Sequence, residues 1–348
     1  MFHIVDKFRA AHYYIYYRRR QCVPAIILNR RLVNMEPVQH HFLINPAAGK
    51  GKAPNLIPAI TTYMAKQGLP FLIHTTSAPG DAEQYVRTAC KKGQPVRFYV
   101  CGGDGTLNEA INGAAHQPHA AVGVIPFGNG NDFVRNFDKP ALFHDLQAQT
   151  DGGEAVFDLL SVNGRYALNM VNIGFDCEVV LQVDRFRRYP LIRGPFAYLL
   201  AVFVVLSRKM GQPLRIRLPD GTALFGSYLL CTAANGRFYG GGFCAAPESC
   251  INDGLFELTL VQKIGRLCFL SMLPSYKKGT YFEKKQIQNK LTHHRLSSFI
   301  LHTDLPAGIC IDGEITFFTS AAFALERETV RFIIPRGCEP LSGFIRPL

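Results

Sequence analysis

Acidic residues are in short supply in this chain. Its 348 residues hold 26 Asp and Glu against 38 Lys and Arg, a formal net charge of +12. That imbalance points away from cationic partners and toward polyanionic ones: nucleotide, anionic lipid surface or nucleic acid. Cys-x-x-Cys pairs are absent although there are ten cysteines. Cys90, Cys101, Cys177, Cys231, Cys268 and Cys310 lie among apolar residues, so they read as small reduced core residues of a cytosolic protein, without a structural zinc. The longest apolar run, residues 195–206, is too short to cross a bilayer. The N-terminus has no central apolar stretch before a small-residue cleavage site, and it lacks the serine enrichment of a transit peptide. The expected location is therefore cytoplasmic, in solution or peripheral on the inner face of a membrane. No RNA-binding motif and no internal repeat is visible, and basicity by itself is poor support for nucleic acid.

What is present is organised around Val100-Cys101-Gly102-Gly103-Asp104-Gly105-Thr106-Leu107-Asn108-Glu109. An apolar run at 96–101 reads as a buried strand, and from Thr106 the apolar residues take helical spacing. A strand that turns through glycines into a helix sets bare backbone N–H groups and a positive helix end against an anion. Asp104, an acid among anion-binding amides, makes sense when a cation accompanies the anion, as in Mg-nucleotide. No Gly-Lys-Ser/Thr follows, so this is not a Walker A loop, and Gly-x-Gly-x-x-Gly is not present there either. The bland alternative is a tight turn with an Asx hydrogen bond.

Residues 1–37 form a basic, aromatic extension, with Tyr13, Tyr14, Tyr16 and Tyr17 running into Arg18-Arg19-Arg20; it suits a membrane interface or a solvated arm. Residues 38–155 alternate strands (41–45, 70–74, 96–101, 121–125) with helices, which predicts a Rossmann-like parallel sheet covered on both faces, with ligands at the strand C-terminal ends. Every glycine-rich loop of this half lies at such an end. From residue 156 to 335 short strands and turn residues dominate, including an Asn163-Gly164 hairpin and strands near 214–218, 223–233, 255–261, 309–311, 317–318 and 330–334. That texture predicts a β-sandwich with helical inserts at 195–210 and 264–278, the active site lying in the cleft between the domains. Residues 336–348 are a tail placed to pair back onto the first domain. His40-His41 and His293-His294 have no partners at metal-ligand spacing and read as surface residues.

Five segments occur in order: Asn45-Pro46-Ala47-Ala48-Gly49-Lys50-Gly51, Gly102 through Asn108, Ile125-Pro126-Phe127-Gly128-Asn129-Gly130-Asn131-Asp132-Phe133, Asn252-Asp253-Gly254-Leu255 and Asp312-Gly313-Glu314. Together they resemble the diacylglycerol kinase catalytic-domain family, closest to its compact bacterial lipid kinases, with sphingoid-base and ceramide kinases as relatives. The resemblance covers roughly residues 38–335 and implies ATP and Mg²⁺. It places nucleotide contacts at Asn45, Gly49, Gly51, Thr76, Gly102, Gly103, Asp104, Gly105, Thr106, Leu107, Asn108, Gly128 and Asn129. The family usually has Thr where this chain has Asn129. By the same resemblance Asp104 holds catalytic Mg²⁺ and Asp312 is the general base, with Glu314 orienting it or binding metal. A second, structural Mg²⁺ would lie on the Asp253 carboxylate and the backbone carbonyls of Cys250 and Leu255.

The implied reaction is phosphoryl transfer from ATP to a membrane lipid hydroxyl, which needs positioning, cations on the phosphates and a base. Lys50, Lys52 and Arg135 are candidate phosphate cations. Phe186, Tyr189, Leu191, Ile192, Phe196, Tyr198 and Leu199, interleaved with Arg185, Arg187, Arg188 and Arg193, suit an anionic membrane surface. The loop Tyr239-Gly240-Gly241-Gly242-Phe243 would sit near the acceptor. Diacylglycerol is the first-choice acceptor, and a sphingoid base or another lipid alcohol the second. A basic lipid-binding protein without catalysis is the rival of another class. The oligomeric state is open, a homodimer being compatible.

Overall fold

A computed structural model describes residues 37–343 and 345, apart from 187, 188, 190–194 and 209. The tyrosine- and arginine-rich N-terminal segment therefore lies outside the described residues, as do Arg187, Arg188, Leu191, Ile192 and Arg193.

The first lobe is built from β1 (Gln39–Ile44), the irregular turn α1 (Ala48–Gly51), α2 (Ile57–Gln67), β2 (Phe71–Thr75), α3 (Asp81–Cys90), β3 (Val96–Gly102), α4 (Asp104–Ala114), β4 (Ala120–Pro126) and α5 (Leu146–Thr150). β1 pairs in parallel with β2 and β3, and β3 with β4. All side chains of β4 and all but one of β3 are buried, as expected of parallel strands covered by helices on both faces. One apolar cluster lies beneath α3 and α4 (Val86, Leu107, Ile111, Val100), and a second beneath α2 (Phe42, Ile44, Ile60, Met64).

The second lobe comprises β5 (Gly153–Val162), β6 (Arg165–Ala167), β7 (Met170–Gly174), α6 (Phe175–Phe186), α7 (Pro195–Ser207), β8 (Gln212–Arg217), β9 (Ala223–Ala234), β10 (Phe238–Tyr239), β11 (Phe243–Cys244), β12 (Phe256–Gln262), α8 (Arg266–Lys278), β13 (Leu291–Leu296), β14 (Ser298–Ile311) and β15 (Glu314–Ile334). Its strands enclose an apolar interior of Leu160, Val171, Ile216, Leu258, Phe299 and Phe323. α6, α7 and α8 share a separate cluster with Leu229, Leu230 and Val261.

The short strands expected at 317–318 and 330–334 are parts of one element, the 21-residue β15. β15 leaves the sandwich through a register shift after Glu326 and re-enters at Val330 to pair in parallel with β4, at Arg331 and Phe332. Its partner β5 runs antiparallel beside both halves and so crosses residues 155 and 156 without a break. The two lobes therefore share a two-strand ribbon, unbroken on the β5 side. Asp158, 1 % exposed, holds the break in β15 by accepting from Glu328 N at 2.8 Å, where Glu328 has φ 52°. Past β15 the chain returns to the first lobe. Asp138 N donates to Glu339 O at 2.9 Å and Leu341 N to Asn136 O at 2.7 Å.

The histidine pair of β1 corrects the surface reading. His40 and His41 are each 5 % exposed, because β1 has neighbours on both edges and helices over both faces. Their rings reach the hydroxyls of Tyr99 (3.0 Å) and Tyr85 (3.1 Å), partners 59 and 44 residues away. His293 is likewise drawn into structure: it meets Thr259 Oγ1 at 3.1 Å across the β12–β13 pair.

Candidate active site

Four loops meet where β1, β2, β3 and β4 end. Asn45 Nδ2 donates to Thr106 Oγ1 at 2.8 Å, tying the first loop to the start of α4, while Asn45 Oδ1 accepts from Ala47 N at 3.0 Å. Gly49, with φ 63°, lies so close to Phe127 that a Cβ there would sit 2.8 Å from its ring. Thr76 is buried beside the end of β1, its N–H on Ile44 O at 2.9 Å. Gly103 and Gly128 approach backbone to backbone, a Cβ on Gly128 meeting Gly103 Cα at 2.7 Å. A Cβ on Gly105, by contrast, would point into open space. No side chain caps α4, so the N–H groups of its first turn are open to an anion on that side. Leu107 is 3 % exposed in the core with its N–H on Gly103 O, and Asn129 stands exposed at the tip of its loop.

Asp104 opens α4 at this junction. Its Oδ1 accepts from Asp132 N at 2.9 Å. Burial, then the charge of Asp132, push its carboxyl up to about 6. Asp132, 7 % exposed, accepts from Gly241 N at 2.9 Å and from Gly242 N at 2.8 Å, so the triple-glycine loop of the second lobe closes on the loop that follows β4. Sequence reasoning gave Asp132 no role, since its partners lie 109 and 110 residues along the chain. Gly130 separates the two carboxylates; a Cβ there would be 2.9 Å from Asp104 Oδ2 and 3.0 Å from Asp132 Oδ2. Arg135 donates to Gly130 O at 3.0 Å and pairs with Asp132 at 3.4 Å, so it holds this loop, while Lys50 and Lys52 are exposed.

Asp312 comes in from the other lobe at the β14–β15 turn, with φ 45°. Its carboxylate accepts from Leu168 N (2.7 Å), Asn169 N (3.1 Å), Met170 N (2.7 Å) and Asn108 Nδ2 (3.0 Å). Asn108 stands one turn after Asp104 on α4, which brings Asp312 near enough for its charge to be felt at Asp104. Burial raises the Asp312 carboxyl above its ordinary range, and the four donors oppose that rise. Glu314 pairs with Arg165 at 3.3 Å. Beyond the glycine loop, Tyr239 OH donates to the Asp176 carboxylate and lies 3.0 Å from Tyr276 OH; burial lifts Asp176 to about 6.

A family model described as the diacylglycerol kinase catalytic domain matches residues 39–162, and one described as the YegS C-terminal NAD kinase beta sandwich-like domain matches 169–326. A diacylglycerol kinase of Staphylococcus aureus (strain MRSA252) is 30 % identical over 277 residues, covering 78 % of this chain and 85 % of the relative. The chain belongs to the diacylglycerol kinase catalytic-domain family. A diacylglycerol kinase of Staphylococcus carnosus (strain TM300) is 27 % identical over 298 residues, 85 % of this kinase and 94 % of that protein. The solved structure of a diacylglycerol kinase from Bacillus anthracis str. Sterne shares the fold, with TM-score 0.61 and 21 % identity over 88 % of this chain and 99 % of that one.

For this lipid kinase the carboxylates of Asp104 and Asp132, which close on Gly130 together, fit a magnesium ion that keeps one or two protein carboxylates and takes its other ligands from phosphate and water. The other candidate metal position is Asp253. Its carboxylate, fully buried, is paired with Arg295 and accepts from Leu255 N at 3.0 Å. A guanidinium thus lies at this carboxylate, which also takes the Leu255 N–H. Among the described residues no group of three His, Cys, Asp or Glu is arranged to hold a metal.

No helix among the described residues is long and apolar enough to cross a membrane. α7 buries Ala197, Ala201 and Val205, spaced four apart, and exposes Phe196 (58 %) and Phe203 (70 %). The adjoining α8, whose Arg266 donates to Leu206 O at 2.6 Å, exposes Leu267 and Leu270.

Proposed function

We propose that this kinase moves the γ-phosphoryl group of ATP onto the hydroxyl of a membrane lipid, with diacylglycerol as acceptor and phosphatidic acid as product. One observation carries the reading: the hydrogen bond from Asn108 to Asp312, which sets a second-lobe carboxylate one helical turn from the anion-binding end of α4. The glycine loops and the open N–H groups of α4 hold the phosphates. Asp104 and Asp132 would hold magnesium, which when bound neutralises charge on the β- and γ-phosphate oxygens. Asp312 takes the proton of the lipid hydroxyl while that oxygen bonds to the γ-phosphorus. The bond to the bridging oxygen breaks, and ADP leaves with its electron pair.

The apolar faces of α7 and α8 support peripheral contact with the bilayer that carries the acceptor. A sphingoid base or another lipid alcohol presents the same reacting hydroxyl and is the second reading. The test offers ATP, Mg²⁺ and a panel of lipid alcohols in mixed micelles. Labelled phosphatidic acid is expected; preferential labelling of a sphingoid base would replace the acceptor, and labelling of soluble acceptors alone would overturn the lipid reading.

A further inference from the structure

Arg165 is absent from the motifs that define the site, yet its guanidinium lies where the lobes meet. One nitrogen pairs with Glu83 of α3, in the first lobe. The other lies 3.3 Å from Glu314 Oε2 and 3.3 Å from Asn108 Oδ1. Asn108 is 1 % exposed, so the orientation of its amide is set entirely by neighbours. Its Oδ1 faces two donors, Arg165 Nη2 and Asn112 Nδ2 (3.1 Å), and its Nδ2 faces two acceptors, Tyr166 O (2.9 Å) and Asp312 Oδ2 (3.0 Å). Rotated by half a turn, the amide would set an oxygen against the Asp312 carboxylate. Arg165, as the cation on Oδ1, makes that rotamer the costlier one.

Three of the four donors on Asp312 are backbone N–H groups of residues 168–170, at the link from β6 into β7. Asn108 is the one side-chain donor, and so the one whose aim a neighbour can control. The segment 165–170 carries three parts of the device, Arg165 on the amide oxygen, Tyr166 O on the amide nitrogen and the N–H groups on the carboxylate, and Asn112 adds a second donor to the amide oxygen. The planar fork of arginine suits the task because one group must reach Glu83 and Asn108 together.

We propose that Arg165 is a positioning residue that acts through Asn108, locking its amide so that it donates to Asp312 and holds that carboxylate toward the acceptor hydroxyl. The proposal rests on Asp312 serving as the base. The test measures kcat, the KM for lipid and the Kd for ATP in the full chain with diacylglycerol micelles. Arg165→Ala is expected to lower kcat on the order of 10- to 100-fold, with ATP Kd and lipid KM within about 2-fold. In an Asn108→Ala background the same substitution is expected to cost less than about 2-fold further, as for two members of one chain. A strut that merely spaced the lobes would raise both binding constants and add its full loss to Asn108→Ala; either result overturns the proposal. Full activity in Arg165→Lys would also overturn it, by showing that charge opposite Glu83 and Glu314 suffices. If Asp312→Asn keeps its turnover, the base assignment itself fails, an outcome separate from any result at Arg165.

Discussion

Asp104 is ionised at neutral pH against its surroundings, and replacing it with Asn has a calculable consequence. Burial and the neighbouring Asp132 raise its carboxyl from 3.8 to about 6. The native state therefore binds this proton more tightly than the unfolded chain does. Stability from that preference is fully present below pH 3.8 and is lost as pH rises through 6. At about 1.4 kcal/mol per unit, the ionised side chain costs the metal-free protein at most about 3 kcal/mol at pH 7.5, and about 0.5 kcal/mol at pH 4. Asp104→Asn keeps an oxygen to accept from Asp132 N and removes the charge. It is expected to raise the urea midpoint of metal-free protein at pH 7.5 by an amount equivalent to about 2–3 kcal/mol, to do so much less at pH 4, and to abolish turnover. A buried acid retained at a stability cost is the expected signature of a functional group. An Asn variant no more stable than the parent at pH 7.5, or one whose gain does not change with pH, would refute the reasoning.

Other positions give separate tests. Gly130→Ala puts a methyl within 3.0 Å of both carboxylates; the variant should fold with a loss of about 1–3 kcal/mol and show a raised Mg²⁺ requirement in a metal titration of activity. Arg295→Ala leaves the Asp253 carboxylate buried without its cation; because the guanidinium is 36 % exposed, the loss is set at the low end for such pairs, about 3 kcal/mol by urea unfolding. Recovery of the midpoint on adding Mg²⁺ would show that a metal can take the place of the guanidinium, whereas a loss under 1 kcal/mol would mean the pair is not a strong one. His40 is held down to about 4 by burial, then by Arg97 and His41. The unfolded chain takes up that proton first, so stability is intact above pH 6.5 and falls as pH drops toward 4, by about 3 kcal/mol. His41 is held to about 4 as well, by burial, so His40→Phe should remove only the His40 share of that limb of a stability–pH curve, and an unchanged limb would place the titrating group elsewhere.

What could be read from the chain alone divides along physical lines. The loops at Asn45, Gly102 and Gly128 announce themselves because glycine clusters interrupt apolar strands, and alternation with helices puts them at one edge of a parallel sheet. β15 did not announce its length. Between Phe318 and Val330 its inward residues Ala321 and Phe323 alternate with serine and alanine, and Glu328 breaks the pattern, so only its apolar ends stood out. The buried pair His40-His41 looked polar and exposed because the hydroxyls that satisfy it belong to α3 and β3. Asp132 and Arg165 were invisible for a similar reason: each gains its role from groups on the opposite lobe, 109 residues distant for Gly241 and 82 for Glu83.

The proposed reaction rests on one carboxylate acting as the base, and the most direct measurement is turnover of Asp312→Asn saturated with ATP. Transfer of labelled γ-phosphate to diacylglycerol in mixed micelles should fall by about 100-fold or more while the ATP Kd, measured by calorimetry, stays within about 2-fold of the parent. Undiminished transfer would contradict the account, as would a loss of ATP affinity equal to the loss of turnover.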